Sequence, residues 1–405
     1  MELTSFEQKA LDGKYGPGLA LAARIIVNLG EFFEAPRTVK INSAQISGVS
    51  VKTGGRALES VLEILVKGAK TKVPAFLNPA GFDLERYDYI GIDENFYRRQ
   101  KDIIDKFVDL GVIPTLSCTP YLNGLTAKKG DMLAWAESSA VSFANSYIGA
   151  RTNRESGLSA LSAAMLGTTP YYGLLKKENR IPTLTVELED GFEISGDLHY
   201  IMGLIIGGEN PSAIPYIRGI RPENADRYKG LGAAMAASGN ISLYHVEGET
   251  PEWEWAKRAI TVKNEIELPV LEITAEQMER TLKRVRPKAL PTVMAVGCPH
   301  ASIDEIIRID HLMSAPAKDV QFWIFTSRQT KGLAARMGLV DSLTKKNVEI
   351  FADTCIVVSP LNNMNIEFIA TNSAKAMHYL PKLGNIDAVF MPLEEMIRVA
   401  MEGSL

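Results

Sequence analysis

The sequence predicts an α/β fold with parallel-sheet layers. Two observations support this: strand-like apolar runs alternate with helical segments from about residue 270 onwards, and 46% of the 405 residues are hydrophobic, enough for sizeable cores. Strands that alternate with helices are typical of a parallel sheet, whose ligands bind at the carboxyl ends of the strands. We expect a C-terminal parallel α/β domain over residues 286–405 and an N-terminal α/β region, of one or two subdomains, over residues 1–285.

The N-terminal region begins with two predicted helices and then alternates. Apolar residues at helical spacing predict helices over 5–12, 19–33 and 94–111. Strand-like runs occupy 38–48, 72–78 and 112–118, and the last of these delivers Cys118. Gly54 and Gly55 should open another helix near Arg56. Repeated glycine and alanine in KGLGAAMAASGN, residues 229–240, favour close backbone packing over the approach of a ligand.

The C-terminal region shows the sharper pattern. Strand-like runs occur at 292–298, 320–327, 348–358, 366–372 and 388–393, with helical segments between most of them. Cys298, Ser327 and Asn372 fall at the ends of these runs, and Cys355 lies inside one. Because the carboxyl ends of parallel strands meet at one edge of a sheet, these polar groups should lie close together.

Three isolated cysteines are the most informative residues. Cys118, Cys298 and Cys355 are separated by 180 and 57 residues, so they form neither a local zinc motif nor a CxxC pair. Three thiolates can hold an iron–sulfur cluster and leave one iron open to substrate as a Lewis acid. The alternative is that they are buried core residues, which is common for free cysteine.

Two further segments suggest anion binding. KTGGR, with Lys52 and Arg56, has the composition of a phosphate nest, although Gly-Gly is also an ordinary turn. In TNSAKAMH, a carboxylate or phosphate could sit at a helix N-terminus with Lys375 as counter-charge, or Asn372 and Ser373 could simply cap the helix.

Other functional classes are disfavoured. The formal net charge is −4, and Lys and Arg are scattered, so we expect no nucleic-acid partner. No apolar run is long enough for a membrane span, and MELTSFEQKALDGKYGPG lacks the features of a signal peptide. A low, odd cysteine count fits the reducing cytoplasm. No convincing dinucleotide fingerprint, Walker A sequence, HExxH or GxSxG occurs.

A set of motifs resembles the large subunit of the aconitase X family. The motifs are SCTPY (117–121), GCPHAS (297–302), ADTC (352–355), SPLNN (359–363), TNSAKAMHYLP (371–381) and INSAQISGVS (41–50). The resemblance covers nearly the whole chain. It implies an aconitase-like multi-domain fold with an iron–sulfur cluster in the cleft between domains, ligated by Cys118, Cys298 and Cys355. A 4Fe-4S cluster is favoured and a smaller one remains open.

The resemblance also implies a hydro-lyase that pairs with a separate small subunit. That subunit would carry the base, so this chain would be inactive alone. Archaeal members dehydrate mevalonate 5-phosphate, a phosphorylated hydroxy acid, to trans-anhydromevalonate 5-phosphate in the modified mevalonate pathway to isoprenoids; bacterial relatives dehydrate cis-3-hydroxy-L-proline. A third hypothesis is a non-catalytic iron–sulfur scaffold or sensor subunit.

The substrate phosphate distinguishes the two dehydratase hypotheses. A phosphate needs a basic nest, whereas an imino acid needs an acidic partner. The side chains that we expect to contact substrate are Asn42, Ser43, Lys52, Arg56, Asn78, Arg151, Asn153, Arg154, Ser327, Asn372, Ser373 and Lys375. Among them Lys52, Arg56, Arg151 and Arg154 are the candidate phosphate ligands, because arginine can bind an anion through two parallel hydrogen bonds.

Overall fold

The computed structural model describes residues 1–68, 70–262, 268–361, 364, 366 and 368–405. The helices are α1 (Ser5–Leu11), α2 (Pro17–Phe32), α3 (Val51–Leu65), α4 (Glu94–Asp109), α5 (Ser138–Phe143), α6 (Gly157–Leu166), α7 (Leu198–Glu209), α8 (Ala225–Gly239), α9 (Trp253–Val262), α10 (Ala275–Val285), α11 (Ile303–Leu312), α12 (Arg328–Arg336), α13 (Leu339–Lys345), α14 (Ala374–Tyr379) and α15 (Leu393–Glu402). No helix in the described ranges is long and apolar enough to cross a membrane.

The strands are β1 (Thr38–Lys40), β2 (Ser43–Ile46), β3 (Ala75–Leu77), β4 (Leu133–Trp135), β5 (Thr168–Pro170), β6 (Leu184–Leu188), β7 (Pro215–Ile217), β8 (His245–Val246), β9 (Val270–Ile273), β10 (Val293–Val296), β11 (Gln321–Phe325), β12 (Val348–Phe351), β13 (Phe368–Thr371) and β14 (Asp387–Phe390). Over the described residues they form parallel sheets ordered β3-β2-β4, β8-β7-β6-β9 and β12-β11-β10-β13-β14. A fourth, antiparallel ribbon joins β1 to β5. The prediction of an α/β fold with parallel-sheet layers is therefore confirmed.

The C-terminal sheet is buried on both faces. Met294 and Val296 of β10 point into one apolar core, and Val293 and Ala295 point into another, as the two-residue period of a strand requires. The second core also contains Phe82 from the N-terminal region. The N-terminal and C-terminal regions thus share apolar packing.

The glycines of α8 serve helix packing. A Cβ at Gly239 would lie 2.1 Å from the carbonyl oxygen of Gly207 in α7, a distance that no side chain tolerates. This close contact agrees with the packing interpretation of residues 229–240, and α7 and α8 lie in the core of the central region.

The prediction of a strand over residues 112–118 was wrong. Residues 112–118 do not form a regular strand, because only Ile113 makes an isolated bridge, to Phe76, and Leu116 adopts a left-handed φ of 48°. A helical turn precedes Arg56: it begins at Val51, where the Ser50 side chain accepts a hydrogen bond from the backbone of Lys52. Gly55 then interrupts α3 with a φ of 54° and a ψ of −158°, so a second helical stretch begins at Arg56, as predicted.

Candidate functional site

A cleft opens where the carboxyl ends of the N-terminal and C-terminal sheets face each other. Its volume is about 250 Å³. The segments that follow β2, β3 and β4 line one side, and residues that follow β10, β12 and β13 line the other. This is the edge at which parallel sheets bind ligands.

All three cysteines line this cleft. Cys298 follows β10 and Cys355 follows β12, while Cys118 lies in the irregular segment after Ile113. Each side chain is buried, with 5–8% of its surface exposed, and each is a free thiol. The amide of His300 donates a hydrogen bond to Cys118 Sγ at 3.2 Å. The three thiols thus meet at one site despite their separation in sequence.

The cysteine environment suits a metal cluster. Burial raises the pKa of all three thiols: that of Cys118 well above its usual value, that of Cys298 to about 12, and that of Cys355 above its usual value. The cause is desolvation, because a buried thiolate loses the water that would stabilise its negative charge. Bound metal supplies that stabilisation and deprotonates a coordinating thiol. In the described ranges no three His, Cys, Asp or Glu side chains are arranged around a single metal ion. A cluster, in which each thiolate binds its own iron, does not need such an arrangement.

Gly297 fixes the approach to Cys298. Its φ is +105°, and a Cβ there would lie 2.0 Å from the carbonyl oxygen of Phe325 on the neighbouring strand. Only glycine permits both this conformation and this contact. The sharp turn directs Cys298 into the cleft immediately after β10.

A buried ion pair lies beside the thiols. Lys375 Nζ contacts Glu137 Oε1, and Asn78 Nδ2 donates to Glu137 Oε2 at 2.8 Å. Burial alone would raise the pKa of Glu137, but the charge and hydrogen bond of Lys375 and the bond from Asn78 outweigh it and lower this pKa to about 2. Although burial opposes it, Glu137 holds the pKa of Lys375 above its ordinary value. Both groups are therefore charged at neutral pH.

The structure brings some of the predicted substrate-binding residues to the cleft. Asn78, Arg154 and Lys375 line it together with the cysteines. Arg154 lies at the exposed rim, where its Nη1 donates to Asn240 Oδ1 at 2.7 Å. Lys52 reaches the carbonyl oxygen of Ser359 at 3.1 Å, and burial lowers its pKa despite the attraction of Cys355.

Other predicted residues lie outside the lining of the cleft and have other contacts. Asn153 binds the backbone of Tyr172 and Leu174, and Arg151 lies 3.8 Å from Glu252. The remaining placements are as follows: Asn42 and Arg56 are exposed, Ser43 accepts from Trp135, Ser327 caps α12, Asn372 donates to Asp197, and Ser373 caps α14 and donates to the Cys298 carbonyl. For Ser373 the structure thus favours the helix-cap interpretation.

Glu137 was not among the residues predicted from the sequence. It follows β4, at the carboxyl end of a strand in the N-terminal sheet. His300 of the GCPHAS motif is fully buried, and burial lowers its pKa to about 4. In the SPLNN motif, residues 362 and 363 lie outside the described residues.

Fold and site together define an α/β protein with a cysteine-lined cleft between parallel sheets. Profiles of the aconitase X first, second and third domains match residues 1–178, 182–283 and 291–402, so the chain belongs to the aconitase X family. The predicted division after residue 285 falls between the second and third ranges.

Several relatives are similar over their full length. The chain is 39% identical to the phosphomevalonate dehydratase large subunit of Methanocaldococcus jannaschii, over 98% of this chain and 100% of the relative. It is 40% identical to that of Methanosarcina mazei, over 100% and 98%. A crystal structure of Thermococcus kodakaraensis aconitase X in its holo-form matches with a TM-score of 0.89 at 36% identity, over 99% of this chain and 100% of that one.

Proposed function

We propose that this chain is the large subunit of a hydro-lyase that dehydrates mevalonate 5-phosphate to trans-anhydromevalonate 5-phosphate. The main support is similarity over nearly the whole chain, at 39–40% identity, to four relatives named phosphomevalonate dehydratase large subunit. Two relatives named cis-3-hydroxy-L-proline dehydratase are 29–31% identical, and the chain covers only 69–70% of them. The higher identity favours membership in the first group.

The three cysteines are proposed to bind an iron–sulfur cluster, with a 4Fe-4S cluster favoured. They line one cleft, are free and are buried, which is the donor chemistry that such a cluster requires. When bound, the cluster would supply a Lewis-acid iron that no protein thiolate occupies, which favours the departure of a hydroxyl group.

Lys375 supplies fixed positive charge next to the reacting centre. It is buried, lines the cleft together with the three cysteines, and is held in place by Glu137 and by Ser139 Oγ at 3.3 Å. A charge that is already positioned in a desolvated cleft costs no reorganisation when negative charge develops on the substrate carboxylate. We therefore assign Lys375 to stabilise that charge and Asn78 to orient Glu137.

The proton acceptor is proposed to come from the partner. Glu137 is ionised, but its two partners keep its pKa near 2, so it is a weak base. The relatives named large subunit imply a small subunit, and we propose that it covers the cleft and carries the base. Free buried cysteines suit a reducing compartment, so we place the complex in the cytoplasm.

Arg154 is the proposed ligand of the substrate phosphate. Among Lys52, Arg56, Arg151 and Arg154 it is the cation that lines the cleft. The phosphate is remote from the bond that breaks, so its binding energy serves to position the substrate. Asn240 holds the guanidinium at the rim without neutralising it.

The experiment is anaerobic co-purification with the small subunit, followed by assays of both substrates. We expect water loss from mevalonate 5-phosphate and no turnover by the large chain alone. Turnover of cis-3-hydroxy-L-proline alone would contradict the substrate assignment. A cluster-containing complex that dehydrates neither compound would support a scaffold or sensor role, although the Glu137–Lys375 pair has no evident use in such a role.

A further inference from the structure

His300 contacts the loops of all three cysteines. It lies two residues after Cys298, and its backbone N–H donates to Cys118 Sγ at 3.2 Å. Its ring Nδ1 lies 3.1 Å from the hydroxyl of Ser117, the residue before Cys118. Its ring Nε2 lies 2.8 Å from the carbonyl oxygen of Thr354, the residue before Cys355. One fully buried residue therefore joins its own loop, which carries Cys298, to the loops of Cys118 and Cys355.

The two ring contacts determine which nitrogen of the neutral imidazole carries the proton. The Thr354 carbonyl can only accept, so Nε2 carries the proton and donates to it. Nδ1 is then an acceptor, and the Ser117 hydroxyl donates to it. Each ring nitrogen has one partner of the opposite kind, which fixes the orientation of the ring.

The backbone of His300 is also held by a lysine of the central region. Lys229 of α8 donates to the His300 carbonyl oxygen at 3.3 Å. The same ammonium pairs with Asp226 at 2.7 Å and contacts Glu305. Lys229 is buried, with 3% of its side chain exposed. The peptide that precedes Ala301 is thus anchored by the central region of the chain.

We propose that His300 is a positioning residue that sets the separation of the three cysteine thiolates and thereby governs retention of the cluster. The inference rests on the proposed function, since it assumes that these cysteines bind iron. Its physical basis is that no short motif constrains the cysteines. Their spacing must come from contacts between loops, and His300 makes one to each. Groups that orient metal ligands commonly change metal affinity 10- to 100-fold when they are removed.

The test compares two leucine substitutions in the full-length chain, purified anaerobically. His300→Leu removes both ring contacts. His245→Leu is the matched control, because His245 is also buried and its Nε2 lies 3.1 Å from the Arg180 carbonyl, in the central region. The readouts are iron and sulfide content, the electron paramagnetic resonance spectrum, the rate of iron release to a ferrous chelator, and thermal unfolding of the iron-free protein.

We expect both variants to unfold at a lower temperature, but only His300→Leu to release iron roughly 10- to 100-fold faster and to show an altered spectrum. Release at the wild-type rate with an unchanged spectrum would overturn the inference. Wild-type protein without iron and sulfide would instead overturn the proposed function.

Two milder substitutions decide the matter if His300→Leu does not fold. His300→Asn can retain an acceptor for Ser117, and His300→Gln can retain a donor to Thr354. Each should release iron at an intermediate rate. If both release it at the wild-type rate, His300 does not position the thiolates.

Discussion

Replacing Arg154 by alanine should selectively impair turnover of the phosphorylated substrate. In the free protein Arg154 is exposed, and within the part of the chain that the structure describes its side chain donates to Asn240, so its removal should cost folding less than about 1 kcal/mol. A hydrogen bond between charged groups contributes about 1.5–3 kcal/mol. Loss of that bond to phosphate should therefore lower kcat/KM for mevalonate 5-phosphate roughly 10- to 150-fold.

The assay is steady-state dehydration by the reconstituted complex, with unphosphorylated mevalonate as the comparison substrate. Turnover of mevalonate should be poor for the wild type and nearly unchanged in Arg154→Ala. Arg56→Ala is the matched control, because Arg56 is exposed and lies outside the lining of the cleft. Asn240→Gly, which keeps the left-handed backbone, should show part of the loss. Equal losses for both substrates, or no loss, would refute the assignment.

Three further predictions concern stability. Lys229→Met removes the ammonium that pairs with Asp226 and Glu305, whose side chains are each 16% exposed, and should lower the free energy of unfolding by about 3 kcal/mol, measured by denaturant titration; a loss below about 1 kcal/mol would contradict it. Gly297→Ala should prevent correct folding around Cys298, whereas Gly332→Ala in the open face of α12 should be tolerated, as judged by soluble yield and thermal melts. Although burial opposes it, hydrogen bonds from Thr168 and Thr4 lower the pKa of Glu7, so its contribution is present above pH about 4.5 and is lost as pH falls through the folded pKa. The difference in melting temperature between wild type and Glu7→Gln should disappear on acidification, and a constant difference would exclude this role.

The fold was predictable because alternation of strands and helices is a local property of sequence. Cys298 was predicted at the end of a strand-like run and Cys355 inside one. In the structure both follow their strands, at the same edge of the C-terminal sheet, because β12 already ends at Phe351. Cys118 could not be placed in this way, because residues 112–118 do not form a regular strand. Its position depends on long-range contacts, among them the amide of His300.

The polar residues of the cleft were harder to predict for a physical reason. A sequence identifies hydrogen-bonding side chains but not which of them already have backbone partners. Asn153 binds the carbonyl of Tyr172, and Ser43 accepts from the indole of Trp135, so both serve the surrounding structure. Lys375 was predicted as a counter-charge at the start of a helix. Its partner Glu137 was not predicted, because the contact between them depends on the position of β4 in the folded chain.

Mössbauer spectroscopy tests the proposed cluster most directly, on the anaerobic complex enriched in ⁵⁷Fe and measured with and without mevalonate 5-phosphate. We expect an iron–sulfur cluster that is lost when Cys118, Cys298 or Cys355 is replaced by serine. We also expect substrate to change the signal of one iron only, because in a 4Fe-4S cluster three thiolates leave one iron without a protein ligand. A complex without cluster iron, or a spectrum that substrate leaves unchanged, would contradict the proposal that the three cysteines hold a substrate-binding cluster.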